Sequence, residues 1–467
     1  MLHPYPPSVT ARKFRPGGRP LPAPCRAPCR APCRIFGSAR AAAALAVALM
    51  ATGLACQKPT SDNIQLWKTT QKGPDRLHDA LADRSVAPRL RAEAAAALID
   101  IGRADEVDGA LAQIPADDRA EILKTFIPLN EVAMKDPAPD KSLSARDALF
   151  SVRAYATPED GKRIDAALLP AIANDLRTGH LRNGRHSIEK VLATIGADSG
   201  KMLAEVLADP IPAMPLAADL LGKVGDESAR NQGATALIAR AQKEHGKGKE
   251  PLPPATWKAI GSIGGPVAVK FLEERSLSPN KDEAAMAVRA LGQRRDPAVL
   301  PFALKVAGDD KADKLIRDEM FGVVEGIGGL EARKGLVSII SSDREELVRY
   351  RAFEVVLSTS KAEGILPALD AFPSGVAYKK VDVDDLLVRL IEKLGAPARP
   401  VLVSALGSRS PLTRMTAVMA LEQIGRAADA PALEKLAGDT TTLKGFPAGE
   451  TIGKSASSAA ASVKKKP

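Results

Sequence analysis

Large rings are scarce in this sequence: aromatic residues make up 3% of 467, with two Trp, four Tyr and ten Phe. A single thick core leans on large side chains. A chain this long without them points to many thin layers built from Ala and Leu. Cysteine is absent after residue 56, since Cys25, Cys29, Cys33 and Cys56 are the only four. The remaining chain therefore has no thiol for nucleophilic attack, zinc ligation or a disulfide. Histidine is limited to His3, His78, His180, His186 and His245. No nucleophile–base pair can be nominated from them, and no Gly-x-Ser-x-Gly elbow occurs. Catalytic, cofactor-binding and metal-binding residues are accordingly expected to number none, and no small-molecule substrate is expected.

An excess of one charge is missing from the body as well. The formal charge is +10, but residues 1–56 hold eight basic residues and no acidic one. Removing those eight from the 66 leaves 58 basic against 56 acidic residues. A near-neutral body excludes a chain-wide phosphate-binding footprint, so no nucleic-acid partner is expected. Residues 1–34 include a tandem Ala-Pro-Cys-Arg repeat at 23–34. Its Cys-x-x-x-Cys spacing has no neighbouring His or second cysteine pair to complete a zinc tetrad. This segment reads as a disordered low-complexity leader.

Long apolar runs are also lacking, apart from Ala41–Ala55, which follows Arg34 and Arg40 and ends in Gly53-Leu54-Ala55-Cys56. A basic start, a short apolar stretch and a small residue before the cut make residues 35–56 a secretory signal. Fifteen residues fall short of a bilayer-spanning helix. The Ala-Cys ending resembles a bacterial lipoprotein signal, in which the cysteine becomes the acylated first residue. That family usually has Leu three places before the cysteine; here Gly53 stands there and Leu54 follows. The resemblance implies lipidation at Cys56 and membrane attachment through that lipid. With Gln57 and Lys58 next, it also implies the periplasmic side of the outer membrane in a bacterial cell envelope. An ordinary signal peptide cut nearby is the alternative. Residues 57–76 read as a linker.

The body is organised by a returning stripe. Ala94, Ala97, Leu98 and Ile101 fall at i, i+3, i+4 and i+7, and Gly102 is placed to stop the helix. The same stripe precedes Gly196, Gly225, Gly264, Gly292, Gly328 and Gly425. A weaker copy has Ser360 in the glycine place, and another ends at Gly395. From Gly196 the steps between stops are 29, 39, 28, 36, 32, 35 and 30 residues. Each stop is followed by a second apolar stretch, such as Val299–Val306 or Leu433–Leu436. The unit is two antiparallel helices, and one unit cannot bury its stripe alone, so units must stack.

Residues 83–102 and 410–425 carry the pattern best: a polar start, a basic residue (Arg91, Arg414), then small and large apolar positions before glycine. This resembles HEAT repeats, especially the short HEAT-like variety of phycobilisome lyases. Tetratricopeptide and ankyrin repeats of similar length are set aside, because their Trp/Tyr anchors and Thr-Pro-Leu-His turn are missing. The expected fold is an all-α solenoid of stacked antiparallel helix pairs, a HEAT-like superhelix, over residues 77–438. Only blurred copies are visible within 103–184. Residues 133–145, 243–254 and 372–383 read as loops, and 439–467 as a flexible basic tail.

Four local patterns invite chemistry. Gly449–Ser455 has the look of a phosphate loop but one residue too few between its glycines. Ser187-Ile188-Glu189-Lys190 and Ser61-Asp62-Asn63 match elements of penicillin-interacting enzymes in reversed order, with no sheet to hold them. Asp382, Asp384 and Asp385 fit a helix start at Leu386 better than a calcium site. Arg177, His180, Arg182, Arg185 and His186 form a basic cluster, read either as a solvated helix end or as an interaction patch for an acidic partner. The resemblance implies an envelope-located, lipid-anchored scaffold, not an enzyme, that binds protein partners along its concave face. A HEAT-like lyase or chromophore-attachment factor, or a regulatory subunit of an envelope complex, is the alternative.

Overall fold

A computed structural model describes residues 58–182, 184–245, 251–342 and 344–466. The leader, the signal segment and Cys56 lie outside the described residues. From Thr60 onward the chain forms one all-helical unit. The described residues contain no strand, only an isolated antiparallel bridge between Thr442 and Thr451.

The first part holds seven helices: α1 Ser61–Trp67, α2 Gly73–Ala82, α3 Pro88–Asp100, α4 Ala104–Gln113, α5 Ala116–Ala133, α6 Pro139–Val152 and α7 Pro158–Thr178. From Ile188 the chain becomes regular. The first helices of successive pairs are α8 Ile188–Ile195, α10 Met214–Val224, α12 Pro254–Ile263, α14 Lys281–Gly292, α16 Lys314–Ile327 and α18 Glu346–Ser360. Their partners are α9 Ala197–Val206, α11 Glu227–Glu244, α13 Gly265–Ser276, α15 Leu300–Ala307, α17 Gly329–Ser341 and α19 Ile365–Asp370. The last two pairs are built from α20 Lys380–Val383, continued through a π turn at Asp384–Val388 into α21 Arg389–Glu392, then α22 Arg399–Ala405, α23 Pro411–Ile424 and α24 Ala430–Glu434. Helix α25, Ile452–Val463, closes the array.

Local chemistry sets the helix starts. Ser187, Asp226, Asn280, Ser410 and Thr451 each accept a hydrogen bond from a backbone N–H of the first turn. Proline occupies the first turn of many helices, where its missing N–H costs nothing. Among the glycine stops, Gly196 and Gly328 are left-handed with φ of 83° and 63°, whereas Gly225 and Gly425 end their helices in extended backbone and Gly292 is the last residue of α14. In the weak copy the left-handed turn falls on Lys361 (φ 52°), one place after Ser360, so a side chain sits where glycine is cheaper.

First helices stack on first helices, α10 on α12, α12 on α14 and α14 on α16, while α13, α15 and α17 pack against the first helix that follows. One apolar cluster runs from Ile64 to Val463. Small residues permit very close stacking. A Cβ on Gly222 would lie 2.0 Å from the Ser262 carbonyl oxygen, and one on Gly261 2.4 Å from that of Ala290. Arg91, Arg317, Arg349 and Arg414 each stand eleven residues before a stop position. Arg91 Nε donates to the Leu81 carbonyl at 2.8 Å and Arg414 Nη1 to that of Ser408 at 2.8 Å, while Arg349 Nη1 bonds the Arg344 carbonyl. These arginines satisfy carbonyls left open where the preceding segment ends. Arg317 instead pairs forward with Glu345 at 3.5 Å.

Four expectations are corrected. The stretch 439–467 is not a flexible tail: Ile452, Ala456, Ala459 and Val463 are buried, and α25 packs on α23 and α24. Low-complexity Ser and Ala concealed a helical stripe. The linker read at 57–76 contains α1, whose Ile64 and Trp67 are buried, and the start of α2. The loop read at 133–145 ends at Pro139, which opens α6. The helix placed at Leu386 begins at Lys380.

Candidate functional site

The irregular stretch around α6 and α7 is where charged side chains leave the surface. Helix α6 carries Arg146 and Asp147 next to each other, 4% and 8% exposed. Burying such groups demands partners, and α7 and the residues after it supply them. Arg146 Nη1 donates to Asp175 Oδ2 on α7 at 3.0 Å, and Nη2 to the Arg182 carbonyl at 3.1 Å. Asp147 Oδ2 accepts the Arg185 backbone N–H at 2.6 Å, while its buried Oδ1 has no hydrogen-bond partner. The backbone comes so close that a Cβ on Gly184 would meet Asp147 Oδ2 at 2.0 Å. Farther along α6, Ser151 Oγ lies 3.0 Å from His186 Nε2, and Phe150 meets the imidazole edge-on at 4.8 Å. Residues 179–182 and 184–187 thus form a strap laid along α6.

The strap divides the basic cluster read in the sequence. Arg177 pairs with Asp209 at 3.5 Å and Arg182 with Asp140 at 3.0 Å. Arg185 pairs with Asp105 and, at 2.9 Å, with Asp108 on α4. His180 and Arg182 face one side, where a cavity of about 430 Å³ opens between α6, α7 and the strap. Its apolar wall includes Met134, Leu143 and Leu181, and its polar groups include Asn174 and Asp175. Arg185 and His186 lie at the far end, beside Asp147 and Ser151. The arginines of the cluster are therefore engaged in tying segments together.

Burial pushes the Asp175 carboxyl above the usual carboxylate range, although Arg146, His180 and Arg182 pull the other way. Burial also holds His186 below the ordinary histidine value; Lys190 and Arg185 add to this, and Asp147 and Asp108 oppose it. The Ser151–His186 pair was not visible in the sequence because 35 residues separate its members. Acyl transfer also needs donors for an oxyanion. Ser151 sits in the last turn of α6, where helix carbonyls converge, and the Asp147 oxygen that is bonded serves Arg185. The pair fastens the strap.

The other sequence patterns resolve into helix caps and, for Asp384 and Asp385, a π turn inside a helix, not its start. Thr451 caps α25, and Lys454 Nζ turns back to the Gly449 carbonyl at 2.8 Å, so Gly449–Ser455 is a helix entry. Ser187 caps α8 through the Lys190 N–H, and Asp385 pairs with Arg389 at 2.9 Å. Among the described residues no group of three or more His, Cys, Asp or Glu is placed to hold a metal. No described helix is long and apolar enough to cross a membrane.

The family model for HEAT repeats matches residues 380–443, the pair of units that contains Arg414 and Gly425. That segment is therefore similar to HEAT repeats, and it sits within an all-α array of helix pairs. Solved structures similar to this helical array include an engineered protein, 16% identical over 88% of this chain and 100% of its own, with a TM-score of 0.19. Human deoxyhypusine hydroxylase in complex with glycerol is 15% identical over 74% and 97% of the two chains, TM-score 0.18. Kap121p bound to RanGTP is 12% identical over 86% of this chain and 46% of its own, TM-score 0.25. Scores this low leave the functions of those proteins with those proteins. No curated protein matches the sequence significantly.

Proposed function

We propose that this HEAT-like chain is a protein-binding scaffold of the bacterial cell envelope, lipid-anchored at Cys56 and without an activity of its own. The observation that carries the scaffold reading is the unbroken stack of helix pairs from α8 to α25 over one apolar cluster. Such a stack presents helix after helix to solvent in fixed register, which suits an extended protein partner. Its outward charges are tied repeat to repeat, as in Lys223–Glu189 at 2.9 Å and Arg289–Glu319 at 2.7 Å, so the surface is pre-organised. The anchor reading rests on Arg34, Arg40, the apolar run and Ala55-Cys56. Attachment by acyl chains would hold the scaffold at one membrane face.

Affinity capture of the tagged chain from crosslinked bacterial envelopes tests the scaffold. One abundant partner, recovered in proportion to bait, is the expected result. Turnover of small substrates by the purified chain alone would overturn the reading. Cys56→Ala tests the anchor separately: the variant should leave the detergent phase and lack the mass of acyl chains. Unchanged membrane retention would remove lipidation from the proposal.

A further inference from the structure

We propose that the cavity between α6 and α7 receives the C-terminal residue of a protein partner, its carboxylate on Arg182 and His180 and its side chain against Met134, Leu143 and Leu181. This deepens the scaffold reading and rests on it.

Three observations carry the proposal. The first is the composition of the cavity. At about 430 Å³ it combines an aliphatic wall with a cationic mouth and the side-chain amide of Asn174, the division of labour expected where polar groups orient a ligand and apolar ones hold it. A carboxylate joined directly to an aliphatic side chain, as at a peptide terminus, matches both halves.

The second is the state of Arg182. Its only ion partner among the described residues is Asp140, whose side chain is 96% exposed, and its own guanidinium is 51% exposed. Pairs as wet as this contribute little and exchange readily. The backbone of Arg182 is nonetheless fixed, because the buried Arg146 donates to its carbonyl. The mouth thus offers a positioned arginine with a weakly held anion, and a fork of donors fitted to a carboxylate.

The third is Asp175, the carboxyl that an incoming anion must tolerate. One of its oxygens is already bonded by Arg146, and burial pushes it toward the protonated form. With its charge shared with Arg146 at 3.0 Å, Asp175 offers an incoming carboxylate less repulsion than a free carboxylate would. Asp136 also lines the cavity, but its Oδ1 caps the Ala138 N–H at 2.8 Å and Lys141 stands 3.7 Å from its Oδ2.

The test uses the full chain and a dye-labelled hexapeptide ending in leucine, with a free carboxylate or as the C-terminal amide, followed by fluorescence anisotropy. The acid should bind at least about tenfold more tightly than the amide, the difference expected for one charge-assisted contact. Arg182→Ala should remove about that factor, with partial recovery in Arg182→Lys. Arg177→Ala, at a pair outside the cavity, should change affinity less than about twofold. Equal binding of acid and amide, no loss in Arg182→Ala, or no binding of either peptide overturns the proposal. A crosslinked partner still captured by the Arg182→Ala chain would leave the scaffold standing and remove the cavity from it.

Discussion

Residues 61–187 and residues 188–463 solve the same packing problem differently. In the later stretch, side-chain links recur about one repeat apart: Lys223 to Glu189, Arg294 Nη1 to the Ser262 carbonyl at 2.9 Å, Lys281 to Asp313 at 2.6 Å, Arg399 to Asp429 at 2.8 Å. Each pair of helices ties itself to the next with the same reach. In the earlier stretch the helices α5 and α7 run to 18 and 21 residues and carry Pro128 and Pro170 within them. There a strap takes the place of the turn, and it bonds Arg146 and one oxygen of Asp147, the buried charges of α6. Regular stacking spreads its ties thinly along a surface, whereas the departure from rhythm concentrates them and leaves a polar cavity beside them.

The largest expected effect breaks the regular half at its end. Ile452 and Val463 of α25 are fully buried against the array. Two such side chains contribute roughly 3–6 kcal/mol. Removing residues 439–467 should lower the opening free energy of α23 in hydrogen exchange by about that much and promote self-association. Unchanged protection of α23 would show that α25 is not the cap. Next comes the close stacking. Gly222→Ala should cost about 1–3 kcal/mol in urea unfolding, because the new methyl meets the Ser262 carbonyl. Gly109→Ala in α4 meets nothing within 4 Å and should stabilise by about 0.5–1 kcal/mol. Equal signs for the two would refute the backbone-to-backbone account.

Arg91→Met follows in size. It leaves the buried Leu81 carbonyl without its donor, at a cost of roughly 1–3 kcal/mol. The substitution also removes a cation whose burial disfavours its charged form, so the net loss should fall toward the lower end. A loss confined to α2 and α3 in hydrogen exchange is expected; a uniform loss across the array would mean the arginine does more than collect that carbonyl.

The regular half was legible because glycine stops and apolar stripes encode it directly. Arg91 and Arg414 were matched from sequence, and the structure adds Arg317 and Arg349 in the same register. Residues 103–184 were blurred for a physical reason: the rhythm depends on small residues before a closely spaced glycine stop, whereas α5 has Met134 at its C-cap and α7 reaches its stop, Gly179, only after 21 residues. Arg146 and Asp147 are charged residues on a helix face that is nevertheless buried, a placement that periodicity assigns to solvent. Their strap partners lie 36 and 38 residues away, and one sequence gives no sign of such a pairing. The basic cluster was found as composition, but its division between cavity and tie is set by which acids stand opposite it.

The smallest effect separates the two halves by pH. His186 under the strap is a base whose charged form is disfavoured by burial, so its native state binds a proton less readily than the unfolded chain. Its contribution is complete above the ordinary histidine value of about 6.5 and is lost as pH falls below it. Asp147, Asp108, Lys190, Arg185 and Ser151 all face or flank this imidazole, and the two carboxylates temper the loss. The repeat-to-repeat link of Asp313 has the opposite chemistry. Its hydrogen bonds from Lys281 and the Leu315 N–H hold the carboxyl below its usual range, so that contribution persists above about pH 4 and fades only in stronger acid. Hydrogen exchange near pH 5.5 should therefore show residues 179–187 loosening while α14 and α16 keep their protection, and His186→Gln should flatten the strap's response. If strap and array loosen together in one acid transition, the contrast between a local tie and a distributed one does not hold, because the strap would then share the array's carboxylate-governed stability.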